Sequence, residues 1–303
     1  MQGTVDGFSY GLVTPVAAFL MACLGGALGL RCTTRSLRHD DTFKAGWLAL
    51  GATSIGTGIW TMHFIAMMGF SVTQAPINYD RPITFASLGV AVLMVGIGIF
   101  IVGYRGATAL TLVTGGTITG LGVATMHYLG MAGMRFQGRI EYDTLTVALS
   151  VVIAVVAATA ALWAAVSVHG FLASLGASLV MGVAVSGMHY TAMAAVSVHL
   201  HGAGATGGSG DTATSLLLPM LIGPAVFLIL AAVVVMFDPL LVMGDPDWQR
   251  PARTPHRPGV PAPRHVPSYY GEPANWTARP AGRTVGRAAR RTVPRGGHRS
   301  QDW

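Results

Sequence analysis

Three short stretches of this 303-residue sequence repeat the same potential metal ligands at the same spacing. They are Gly56-Thr-Gly-Ile-Trp-Thr-Met62-His63-Phe64-Ile-Ala-Met67, Gly120-Leu-Gly-Val-Ala-Thr-Met126-His127-Tyr128-Leu-Gly-Met131 and Gly182-Val-Ala-Val-Ser-Gly-Met188-His189-Tyr190-Thr-Ala-Met193. All three read G-x5-M-H-[FY]-x2-M, and His63, His127 and His189 are separated by 64 and 62 residues. Imidazole with thioether and no carboxylate is a soft donor set. It favours copper, especially Cu(I), over magnesium, calcium or manganese, whereas zinc more usually recruits thiolate or carboxylate. Haem held by axial His or Met draws on the same residues. On a helix each His shares a face with the Met four residues later (Met67, Met131, Met193), and the leading Met (Met62, Met126, Met188) sits about 100° round. The blander readings are a structural layer, in which each His hydrogen-bonds between helices and Met fills gaps, and a proton or ion pathway.

The elements that must position these residues are legible from missing charge. The chain is 52% hydrophobic and 10% charged, with a mean hydropathy of +0.55. An ordinary soluble domain has about 25% charged residues. Seven stretches, about Leu12–Leu30, Gly46–Phe70, Ile83–Gly103, Thr108–Met134, Thr144–Val168, Phe171–Val198 and Leu216–Phe237, contain no Asp, Glu, Lys or Arg. Each is near the ~20 residues that cross a bilayer, and lipid offers a loose backbone donor no partner, so each is predicted to be a helix. The fold class is therefore an all-α polytopic bundle of seven spans, built from three two-helix repeats plus one helix. A turn at His169-Gly170 separates the fifth span from the sixth, which joined would far exceed a bilayer.

The motifs fall near the ends of the second, fourth and sixth spans, His63 and His127 seven residues before the estimated ends and His189 nine. Those spans run in one direction, so the imidazoles are expected in one layer. An ionisable residue inside a membrane is a functional candidate, and no span supplies an acidic partner, which favours a ligand site. Basic residues set the orientation. Arg31, Arg35, Arg38, Lys44, Arg105, Arg250, Arg253 and Arg257 fall on one side, against Arg81, Arg135 and Arg139 on the other. The expected topology is a multi-pass protein of the cytoplasmic membrane, amino end outside and carboxyl end inside. Cys23 and Cys32 are about 13 Å apart along a helix, too far for a disulfide.

Two domains follow, a membrane domain over about residues 8–240 and a tail over 241–303. From Asp238 onward there are 11 Pro, 11 Arg and 5 acidic residues in 66 positions. Such a segment cannot bury enough apolar area to offset ordering entropy, and is expected to be disordered and drawn to anionic lipid. No nucleophile–base pair, phosphate loop or nucleic-acid motif is present. The expectation is a protein that is not an enzyme and has no nucleic-acid partner. His199 and His201, beside the Gly-rich 202–210 segment, read as incidental residues of an exposed linker rather than a metal site.

With spans of this number and Met62-His63-Phe64, Met126-His127-Tyr128 and Met188-His189-Tyr190-Thr191 at the ends of alternate ones, the sequence resembles the bacterial MHYT family over about residues 8–240. The resemblance implies an integral-membrane sensor that binds copper through its Met and His residues and senses oxygen, carbon monoxide or nitric oxide. Carried residue by residue, it implies ligands at Met62, His63, Met126, His127, Met188 and His189, with Met67, Met131 and Met193 as additional candidates. Phe64 replaces the Tyr of the other copies, so a phenol is not required there. Larger members carry cyclic-di-GMP synthesis or hydrolysis domains or a histidine kinase after the membrane part. The tail has the pattern of neither, which implies a separate cytoplasmic signalling partner. A copper transport or acquisition protein and a structural membrane subunit are the alternatives. Transport is weakened because thioether and ionisable groups cluster in one leaflet.

Overall fold

The structure, a computed structural model, describes residues 5–6, 10–38, 43–72, 77–168, 170–200 and 213–237. His39, His201, the Gly-rich linker and the tail from Asp238 lie outside these residues. Seven helices carry the fold: α1 (Val13–Arg38), α2 (Lys44–Met68), α3 (Arg81–Arg105), α4 (Ala109–Ala132), α5 (Thr144–Ser167), α6 (Phe171–Ala194) and α7 (Ala213–Met236). Six are long and apolar enough to cross a membrane. The other, α2, is diluted by Thr, Ser, Gly and His. At 25 residues it still spans about 37 Å, and α1, α3 and α7 shield it. The chain is thus an all-α multi-pass membrane protein.

Local chemistry sets the boundaries. Asp80 accepts a hydrogen bond from the Ile83 backbone N–H to cap α3, Thr108 does so from Thr111 for α4, and Asp143 from Thr146 for α5. Each cap of this kind is worth about 1 kcal/mol. Between α5 and α6 the chain turns at Gly170, whose φ of +90° suits a residue without Cβ. α1 runs on to Arg38, well past the apolar stretch, because nothing between Leu30 and Arg38 breaks a helix.

Short strands, absent from the sequence expectation, complete each repeat. They are β1 (Val5–Asp6), β2 (Ser71–Val72), β3 (Asn78–Tyr79), β4 (Met134–Arg135), β5 (Gly138–Tyr142) and β6 (Val196–Leu200). They pair antiparallel as β1 with β2, β3 with β4, and β5 with β6. Each unit is therefore strand, helix, helix, strand, closed by a ribbon at one end. The sixth span ends at Ala194, and the stretch to Val198 that hydropathy assigned to it is strand β6. Hydropathy alone cannot separate a buried strand from the end of a span.

The six helices α1 to α6 form a ring in which every helix packs on the next and α6 returns to α1. The ring closes through the glycine that opens each motif. A Cβ on Gly56 would lie 2.8 Å from the Cα of Val92 on α3, and one on Gly120 2.5 Å from the Cα of Val155 on α5. On Gly182 it would lie 2.4 Å from Cys23 Sγ on α1. Small residues at such crossings let backbones approach where lipid gives no hydrophobic drive. Helix α7 lies outside the ring, against α2 and α1. Leu110, Leu145 and Leu172 are more than three-quarters exposed on the outward faces, as a lipid-facing surface requires.

Candidate metal centre

His63, His127 and His189 each lie five residues before the end of their own helix, at Met68, Ala132 and Ala194. The register is thus uniform, which corrects the expected offsets of seven and nine. All three side chains are buried, at 1–2% exposure. Their Nδ1 atoms converge: His63 to His127 is 3.1 Å, His63 to His189 is 3.1 Å and His127 to His189 is 3.3 Å. The imidazoles stand edge to face, their planes 74–83° apart. Each is braced by its own motif aromatic, Phe64, Tyr128 or Tyr190, with centroids 4.6–5.0 Å away in T-shaped contact. The Tyr128 hydroxyl in turn meets Ser150 Oγ at 2.7 Å.

Hydrogen bonds cannot satisfy this triangle. An imidazole Nδ1 either carries a proton and donates, or lacks one and accepts. Three nitrogens with two possible states always leave at least one pair alike, donor to donor or acceptor to acceptor. A cation shared by three inward lone pairs removes that conflict. The edges agree with such use, because two imidazole nitrogens about 2.0–2.1 Å from one tetrahedral metal lie about 3.3–3.4 Å apart. No carboxylate occurs in any of the seven helices. His63, His127 and His189 also form a group of metal-competent side chains within 4.8 Å of one another.

Two features depart from a usual metal–histidine site. Ligating imidazoles normally donate their other N–H, yet His63 Nε2 and His127 Nε2 are buried without a hydrogen-bond partner. A cation would have to offset roughly 1–3 kcal/mol for each such donor. The His63 ring instead lies over Gly130, where a Cβ would come within 2.5 Å of Nε2. Gly130 occupies one of the unspecified positions of the motif, and its small size there is the signal that sequence reasoning passed over.

Met62, Met126, Met188, Met67 and Met131 are buried, whereas Met193 is half-buried. Met188 forms part of the wall directly below the triad. The ribbons cover the other side. Phe70, Val72, Tyr79, Met134 and Val198 are all buried there. Burial pushes the Tyr79 hydroxyl up from its usual pKa, and its ring packs edge-on against Phe64. His199 stands apart in β6, 3.2 Å from Glu141, and is no part of the centre.

The repeat has counterparts elsewhere. A family described as the MHYT bacterial signalling protein N-terminal repeat matches residues 56–115 and 120–178. Both matches open at a motif glycine. These are MHYT repeats. Gly182 opens a third copy by the same spacing, and the ring and the imidazole triangle give it an equivalent place. The chain is also 38% identical over 197 residues to the bifunctional diguanylate cyclase/cyclic di-GMP phosphodiesterase MucR of Pseudomonas aeruginosa, covering 63% of this chain and 29% of that protein. It is 36% identical over 209 residues to the cyclic di-GMP phosphodiesterase NbdA of the same organism, covering 64% and 26%. A third match, 30% identical over 190 residues, is the signaling protein YkoW of Bacillus subtilis, covering 60% and 23%. The chain spans less than a third of the length of these relatives. No solved structure matches it.

Proposed function

We propose that this MHYT array is the sensory membrane part of a signalling system, holding copper at His63, His127 and His189 with thioether help from Met62, Met126 and Met188. Met67, Met131 and Met193 are further candidate ligands from the same helix faces. The observation that carries the reading is the Nδ1 triangle, whose contacts no set of protons satisfies. The donor chemistry adds the choice of metal, since imidazole and thioether without carboxylate suit a soft ion. When bound, such an ion supplies a coordination point for oxygen, carbon monoxide or nitric oxide, or a centre whose redox state can be read. The protein's own part is to hold three imidazoles rigidly, keep water away, and link them to helices that can shift.

The relatives' catalytic names attach to proteins of which this chain covers less than a third. Output is proposed to pass to a cytoplasmic signalling partner, with the ribbons on the outer side. A transport reading would have to move an ion along an axis lined mainly by apolar side chains.

The test is metal stoichiometry and affinity in purified protein, wild type and single His→Ala variants, with folding monitored in parallel. About one copper per chain in wild type is expected, with binding weakened at least tenfold in each variant. Full copper retention in all three would leave the triad a structural layer. Met188→Leu, which roughly keeps volume but removes sulfur, should weaken Cu(I) more than Cu(II).

A further inference from the structure

Beneath the imidazole triangle the ring axis is hollow. Its roof is Ile59, Val123 and Val185, each one turn before the histidine of its own helix. The next turn down presents Ile55, Thr119 and Met181. All six ring helices contribute walls, so the space lies on the axis and not between bundle and lipid. It persists because α5 offers alanines, including Ala154, Ala158 and Ala161, where a larger side chain would fill it.

The cavity measures about 40 Å³. On the same scale one water needs roughly 10–15 Å³ and two to four polar partners. Room for more than one water is therefore present, but the partners are not. Of the hydroxyls in the wall, Thr119 Oγ1 would be the first atom met by a Cβ on Gly98, and Thr33 Oγ1 the first met by one on Gly51. Both hydroxyls are turned toward neighbouring helices; Thr33 Oγ1 is buried without a hydrogen-bond partner, and that one atom falls short of the two to four partners a water needs. A dry apolar space this small suits a molecule of two or three heavy atoms.

We infer that this chamber binds a small, uncharged, apolar molecule and delivers it to the inner face of the triad, from the side opposite the ribbons. A second cavity at the far end of the ring, lined by Thr34 and Leu37 of α1, Val102 of α3 and Ala165 of α5, shares Ala165 with the first. The entry path therefore runs along the axis. That the chamber serves a metal rests on the proposed function. That it takes such a molecule does not.

Xenon is the probe, because it needs neither metal nor hydrogen bonds. Full-length protein in lipid nanodiscs, stripped of metal, is titrated with xenon and followed by ¹²⁹Xe NMR. A saturable site is expected in wild type, lost in Ala158→Leu and Ala161→Leu, and larger in occupancy in Leu162→Ala. Absence of a saturable site in folded wild-type protein, or an unchanged site in folded filled variants, would overturn the inference. Should both filled variants misfold, Leu162→Ala decides, since unchanged occupancy there is equally fatal. Copper content is measured separately, so a copper-free protein that still takes xenon would sink the metal reading and leave the chamber standing.

Discussion

A methyl group at position 130 would lie 2.5 Å from His63 Nε2, closer than packed atoms approach. His63 cannot easily retreat, because Phe64 holds its ring on one side and the other imidazoles hold it on another. Gly130→Ala is therefore expected to turn the imidazole and open the triangle. Overpacking of this sort costs about 1–3 kcal/mol. Copper affinity should fall at least tenfold while the helical circular dichroism is kept, and unchanged affinity would show that the ring has slack. Asp80 gives a prediction of opposite kind. The Ile83 N–H, followed by Arg135, holds its carboxyl below the usual range, as Arg139 and His199 do for Glu141. A depressed carboxylate contributes stability above its unfolded value that is lost as pH falls. Thermal stability of the wild type should thus decline from about pH 4.5 downward, and Asp80→Asn, which can still cap α3, should flatten part of that decline. A parallel acid profile in the variant would count against this ion pair. At this scale the ligand candidates were legible, since imidazole and thioether recur at fixed spacing. Gly130 was not, because its role depends on a histidine 67 positions earlier in another helix.

Helix α4 carries a motif glycine that meets backbone, and helix α6 one that meets a side chain. A Cβ on Gly120 would strike the Cα and N of Val155 at 2.5 and 2.7 Å, whereas one on Gly182 would strike Cys23 Sγ and the Phe19 ring. Backbone can move only with its helix, but a thiol can rotate. Gly120→Ala should therefore destabilise the protein by about 1–3 kcal/mol, and Gly182→Ala by clearly less. Unfolding midpoints in one detergent compare the two, and equal losses would contradict the contact geometry. The glycine was visible in the sequence as part of a pattern, but what it touches was not. Helix existence and the Gly170 turn were legible because span length and missing charge are local properties. The ribbons were illegible for the converse reason. Four of their strands have only two residues, and each pairs with a strand on the far side of two helices. No local alternation can signal that. Missing them placed the end of the sixth span too late and so shifted the expected depth of His189.

The described residues form three like units around an axis, with α7 added mainly against the first. The pairings bring the starts of α1, α3 and α5 and the ends of α2, α4 and α6 to a single face. Among the described residues that face carries the acidic groups Asp80, Glu141 and Asp143 beside Arg81, Arg135 and Arg139. The opposite face carries Arg35, Lys44 and Arg105 and no described acid. Two of its cations are seated on aromatic rings, Arg35 over Trp47 at 5.4 Å and Lys44 over Tyr104 at 5.5 Å. Such interfacial pairs anchor helix ends, and an excess of Lys and Arg marks the cytoplasmic side. The ribbon face, and with it the covered side of the triad, is accordingly predicted to lie outside. Gln137, between β4 and β5, and Gly106, between α3 and α4, sit at opposite ends of the ring and in exposed or half-exposed turns. Alkaline phosphatase inserted at Gln137 should be active and at Gly106 inactive, and a green fluorescent protein should show the reverse. Reversal of both results would invert the molecule and place the open end of the axis outside. Activity of one reporter at both sites would mean that α4, the one helix between them, fails to span, which the ring could not survive.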